Sequence, residues 1–151
     1  MTATRKPARL LPLILPLVAA CASSGGGDSA DMSVGDARSE VVARLGAPAS
    51  ARDLGPGGVL LSYPGRGMSL LVAGPSDDAP VTSIRHHAGS PFRAAGDPGV
   101  GIGADRDAVR AALGEASVDP FLGTWRYAAA GLAFEWEGDV VATIAVTART
   151  R

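Results

Sequence analysis

Cysteine is almost absent from this chain: Cys21 is the only one in 151 residues, so an intramolecular disulfide is impossible and any sulfur chemistry rests on one thiol. Aromatic residues are scarce, at 5%, which makes each ring a large share of the apolar area that a small core can bury. Histidine occurs only as the neighbours His86 and His87. Adjacent strand residues point to opposite faces, so a single ion cannot easily take both, and no metal site is expected. A positive excess is missing too. Once the cationic start of the chain is set aside, eleven arginines face fifteen acids, a net charge of −4. That excludes a nucleic-acid-binding body, which needs a basic surface to displace counterions from phosphates, and disfavours a polybasic membrane-binding surface. What remains is a chain with 46% hydrophobic and 19% charged residues, enough for one packed domain and against general disorder.

The longest uncharged hydrophobic run is Leu10 to Ala20, preceded by Arg5, Lys6 and Arg9. It is well short of the roughly 20 residues of a membrane helix, and Pro12 and Pro16 oppose a stable span. A cationic stretch followed by a short apolar one reads as an export signal over residues 1–20. The run closes on Leu17-Val18-Ala19-Ala20-Cys21, and small residues just before a cysteine resemble the lipobox of bacterial lipoproteins. This resemblance implies that the Cys21 thiol is acylated and the leader cut before it, leaving a lipid anchor in the membrane. Ala22, where an Asp would resemble an inner-membrane retention signal, points the expectation to the periplasmic face of the outer membrane. Residues 22–31 hold no apolar side chain larger than alanine. Residues 21–33 are therefore expected to be a lipidated tether, whose ten-residue Gly/Ser coil reaches roughly 17 Å.

Beyond Ser33 the sequence repeats. Val34-Gly35, Arg38, Val41 and Leu45-Gly46 align without gaps on Ile102-Gly103, Arg106, Val109 and Leu113-Gly114, and the match continues from Tyr63 to Tyr127 and from Ile84 to Ile144. Each copy opens on a short apolar-striped segment stopped by glycine, a helix, capped in the first copy by Asp36 and in the second by Asp105. Strand-like runs follow at Val59 to Tyr63, Met68 to Val72 and Val81 to His86, then at Thr124 to Ala128, Leu132 to Trp136 and Val140 to Val146. A tight turn is expected at Gly138-Asp139 and a projecting loop at residues 74–80. The expected fold is α+β, two tandem repeats of a helix plus a three-stranded antiparallel meander, over residues 34–90 and 102–151, with 91–101 as linker.

The second copy carries Ile102-Gly103, Val109, Leu113-Gly114, Asp119-Pro120-Phe121, Thr124-Trp125-Arg126-Tyr127, Phe134 and Val140-Val141. In order and spacing these residues resemble the small outer-membrane lipoproteins of the BamE (SmpA/OmlA) family, over about a third of the chain. Ala116 stands where the family usually has proline, and the family normally carries one unit. A tandem pair also resembles the β-lactamase-inhibitor proteins, which grip an enzyme with a sheet surface. The first resemblance implies a lipid-anchored scaffold that helps assemble β-barrel proteins in the outer membrane by binding partner subunits or lipid head groups. The second implies a protein-binding or inhibitory module that uses its sheet.

No residue pattern points to catalysis or a cofactor. Asp77-Asp78 reads as a solvated loop pair and Gly99-Val100-Gly101-Ile102-Gly103 as a flexible inter-repeat link, because no βαβ unit surrounds it. No serine stands in a nucleophile-elbow context. Tyr127, Phe134 and Trp136 are expected in the core. Phe121, with Asp119 and Trp125 beside it, is the candidate partner contact, since exposed rings make good anchors.

Overall fold

The computed structural model describes residues 32–95 and 99–149. The expected signal, its cysteine and most of the tether lie outside them. Among the described residues no helix is long and apolar enough to cross a membrane.

Two helices and eight strands follow one another as α1 (Arg38–Leu45), β1 (Ser50–Asp53), β2 (Val59–Tyr63), β3 (Met68–Val72), β4 (Val81–His86), α2 (Arg106–Leu113), β5 (Ser117–Val118), β6 (Trp125–Tyr127), β7 (Leu132–Glu137) and β8 (Val140–Thr147). All eight strands form one antiparallel sheet in the order β1-β2-β3-β4-β8-β7-β6-β5. This corrects the expected fold. There are not two helix-plus-three-strand meanders; one sheet runs unbroken through both halves, with a helix and four strands contributed by each.

The physical reason is twofold. β1 and β5 are the outer edges of the sheet, short and exposed at every residue, so they carry no apolar alternation by which to recognise a strand. Edge strands that are short and polar are also how a sheet discourages pairing with other chains. The central seam comes from β4 and β8, which pair through Ser83↔Thr147, Ile84↔Val146, Arg85↔Ala145 and His86↔Ile144. This joint satisfies the backbone groups that two separate three-stranded units would each have left open.

The strand order reads the same from either edge, and an approximate two-fold axis passes between Arg85 and Ala145. It exchanges Ile84 with Ile144 and His86 with Val146, which are paired crosswise. Matching details recur on both sides. The Tyr63 hydroxyl donates to Gly46 O at 3.2 Å and the Tyr127 hydroxyl to Gly114 O at 3.1 Å, tying each helix stop to its sheet. Gly67 and Gly131 adopt left-handed conformations at φ +60° and +67° in the turns that lead into β3 and β7. A Cβ at either would approach backbone atoms to 2.4 Å, Ser90 N in one case and Thr147 O in the other, so both positions demand glycine.

One face of the sheet is covered. Around Val41 of α1 pack Val59, Leu61, Leu70, Val72 and Ile84; around Val109 of α2 pack Trp125, Tyr127, Phe134, Val141 and Ile144. Val146 touches both clusters and lies opposite Ile84, which places the two helices on the same side. Helices of eight residues would not persist alone in water, and this docking holds them.

Several local expectations change. Met32 is only 3% exposed and belongs to the first core, so the packed body includes residue 32. Phe92, Ala94 and Val100 are buried in the second core. Ala94 and Val100 exchange two backbone hydrogen bonds of 2.7 Å, so these described parts of the 91–101 link are packed. The N-cap of α1 is Ala37, without a side-chain cap, and Asp36 instead accepts from Ser33 N and from Arg44. Asp105 does cap α2, accepting from Ala108 N at 2.7 Å. The 74–80 loop does not project. Asp77 O and Ala79 O receive the N–H groups of Ser39 and Arg38, and the Arg38 guanidinium bonds Pro75 O, so the loop closes over the bare start of α1.

Candidate functional site

The turn from β5 to β6 is built by one carboxylate. Asp119 Oδ1 accepts the N–H groups of both Phe121 and Leu122 at 3.0 Å. Asp119 O accepts from Gly123 N, and Asp119 N donates to Thr124 O. Arg126 adds a contact of 3.3 Å to Oδ2. The Leu122 and Phe121 amides, with Arg126 assisting, hold the Asp119 carboxyl below the ordinary carboxylate range. The loop is thus braced while its side chains are not covered: Phe121 is 94% exposed and Leu122 76%.

Trp125, expected beside them as a contact, sits in the core at 6% exposure. It meets Trp136 edge-on at 4.9 Å, and the guanidiniums of Arg106 and Arg110 lie 5.5 and 5.1 Å from its ring. Arg106 also lies 4.5 Å over Trp136. The alternation that puts Arg126 on the open face puts Trp125 and Tyr127 on the covered one. Of the three expected contact residues, Phe121 therefore faces solvent, Asp119 shapes the loop, and Trp125 packs inside. Leu122 is a contact candidate that sequence reasoning passed over; its place next to Phe121 in an Asp-initiated turn was the available signal.

The second candidate surface is the sheet face away from the helices. One row of directly paired residues crosses all eight strands: Ser50, Ser62, Ser69, Arg85, Ala145, Ala133, Arg126 and Ser117. Small side chains dominate it, so the face is low and open. Arg85 reaches over β8 and gives both its ion-pair contacts to Glu135 through Nη2. In the first half this face holds a groove of about 560 Å³, and in the second a smaller one of about 340 Å³.

The histidines divide as adjacent strand-end residues should. His86 faces the core at 1% exposure, stacked on Phe92 at 4.0 Å with ring planes 4° apart and joined through Nδ1 to Ser90 Oγ at 2.9 Å. Burial, aided by the neighbouring His87, pushes its pKa down to about 4. His87 faces the open side, its Nε2 3.0 Å from Ser69 Oγ and its Nδ1 3.5 Å from Thr143 Oγ1. Burial and then Arg85 lower its pKa as well. A serine and a histidine at this distance invite a hydrolytic reading. Against it, the group toward Nδ1 is a neutral hydroxyl, and Ser69 lies mid-strand with paired neighbours on both sides, not on an exposed turn. Among the described residues no group of three or more His, Cys, Asp or Glu is placed to hold a metal ion. Cys21 lies outside the described residues. No protein-family model, curated protein or solved structure matches the chain.

Proposed function

We propose that this protein is a lipid-anchored, non-catalytic binding protein of a bacterial envelope, held to the membrane through Cys21 and docking a protein partner with Phe121 and Leu122. The observation that carries the reading is the braced loop with its two large apolar side chains in water. Leaving a Phe or a Leu exposed forgoes about 1.5–3 kcal/mol of burial each. A fold that spends the hydrogen bonds of an Asp turn to hold them out is preorganised for a contact, and preorganisation is what converts contact area into affinity. The resemblance of the second half to the BamE family adds a narrower candidate, an accessory role in assembling β-barrel proteins at the outer membrane.

A second reading, a module that blocks an enzyme with its sheet, draws support from the uncovered eight-stranded face. The two readings differ in which surface a partner covers.

The test has two arms. Cells fed an alkyne-tagged fatty acid are expected to label the wild-type chain and not Cys21→Ser. Mild crosslinking followed by purification is expected to recover barrel-assembly components with the wild type, and to lose them with Phe121→Ser/Leu122→Ser at unchanged protein level. An unlabelled wild-type chain removes the anchor. Partner recovery that survives the double substitution removes the docking loop.

A further inference from the structure

The groove on the open face of the first half has a composition that its counterpart lacks. Ser50, Ser62 and Ser69 follow one another across β1, β2 and β3, and their row ends at Arg85. Leu60, Met68 and Pro64 complete a predominantly apolar lining. Its volume, about 560 Å³, is that of a small-molecule site, and a mostly apolar wall with a few convergent polar groups is the usual make-up of one.

We propose that this groove binds a short apolar chain ending in a carboxylate, with the carboxylate at Arg85 and the hydroxyl row and the chain lying against Leu60. The inference concerns a different surface from the Phe121 loop and stands without it. Strand alternation places Arg52 and Arg85 on this face and no carboxylate from β1 to β4. The acid that reaches it, Glu135, comes from β7 and engages Nη2 of Arg85. A guanidinium has five N–H donors in a planar fork, and Glu135 engages it through one nitrogen, which leaves the Nε and Nη1 donors to a ligand. His87 holds the Ser69 hydroxyl at 3.0 Å and thereby fixes the polar group next to Arg85.

The other half shows why the site is single. There Arg126 and Ala133 occupy the places of Ser62 and Ser69, Arg126 is drawn toward Asp119, and Glu135 lines the smaller cavity. That side lacks the row of three serines.

The experiment is an amide-resolved NMR titration of the full chain carrying Cys21→Ser, so that no acyl chain of its own competes. The probes are octanoate, octanol and octylamine, together with N-acetyl-alanyl-leucine as free acid and as amide. The amides of Ser62, Ser69, Arg85 and His87 are expected to shift with a free acid, which binds about tenfold or more tightly than its neutral analogue, the worth of one charge-assisted hydrogen bond. Octanoate alone responding identifies a fatty acid as the source of the carboxylate; the peptide alone identifies a peptide terminus. Arg85→Gln should abolish the preference for the acid, and Ser62→Phe should fill the groove and remove binding of every probe. If Arg85→Gln does not fold, Ser62→Phe decides. Equal binding of octanoate and octanol, shifts confined to other amides, no shift with either acid, or unchanged binding in Ser62→Phe would each overturn the proposal.

Discussion

The loops that follow β1 and β5 occupy matching places in the two halves, and they differ in what they present to solvent. After β1 the chain turns through Gly55-Pro56-Gly57, with Asp53 Oδ1 accepting from Gly55 N at 2.7 Å. After β5 it turns through Asp119-Pro120-Phe121-Leu122-Gly123, with Asp119 in the same bracing role. One loop presents glycines, a proline and Leu54 at 38% exposure, the other a phenylalanine at 94% and a leucine at 76%. The cores differ in the same spirit: the first is aliphatic around Leu61 and Leu70, the second aromatic and roofed by arginines over Trp125 and Trp136. What both halves retain is the framework, namely the tyrosine tie to the helix stop and the glycine before β3 and β7. The two halves thus share a framework and diverge in loop and core.

The largest expected effects come from breaking the two cores separately. Phe134 and Leu70 occupy equivalent strand positions and are both 0% exposed. Phe134→Ala is expected to cost about 4 kcal/mol and Leu70→Ala about 3. Because the halves share one sheet and Val146, urea unfolding of each variant should remain a single transition with a lowered midpoint. Two separated transitions would show that the halves fold independently.

Next in size is a pH effect confined to one side. His86 exchanges with Val146 under the internal two-fold, so only the first half has a titrating group at the seam. Its pKa is about 4 in the folded protein against an ordinary 6.5, because its buried ring resists charge. The unfolded chain takes up the proton first as pH falls. Stability is therefore full above about 6.5 and declines between 6.5 and 4, by about 3 kcal/mol at roughly 1.4 per pH unit. His87, shifted in the same direction, adds to the slope. Denaturant midpoints measured from pH 7 to 4 should fall in the wild type and fall less in His86→Leu; equal slopes would assign the effect elsewhere.

The smallest effect transplants a feature. α2 has Asp105 at its N-cap, while α1 has Ala37 at the equivalent place. Ala37→Asp is expected to raise stability by about 0.5 kcal/mol, read as a small upward shift of the urea midpoint. No gain would mean that the 74–80 loop, which already receives the Arg38 and Ser39 amides, leaves a cap nothing to satisfy.

Much of this framework was legible beforehand because it is local. β2, β3 and β4 begin and end where the strand-like runs do, and both helices stop at the glycines that follow a leucine. The gapless alignment also held the right cap for α1, since Ala37 stands opposite Asp105, yet an isolated aspartate one residue earlier was the stronger local signal. What escaped is non-local or featureless. Ser50 to Asp53 offers no apolar residue larger than alanine, and its strand exists only because β2 has an edge to pair. The joining of β4 to β8 brings Arg85 to Glu135 and His87 to Thr143, residues some fifty positions apart. Side-chain period cannot report a pairing partner. For the same reason the outward set Ser62, Ser69, Arg85 and His87 was readable strand by strand, while the groove it forms was not.

The central claim is that the second half's loop touches a partner and its first-half counterpart does not. The direct measurement places a photo-crosslinking amino acid at Phe121 in one strain and at Pro56 in another, irradiates living cells, and compares adducts at equal expression. A discrete, partner-sized adduct from position 121 and none from position 56 is the predicted result. Adducts of equal yield from both loops, or none from position 121, would contradict it.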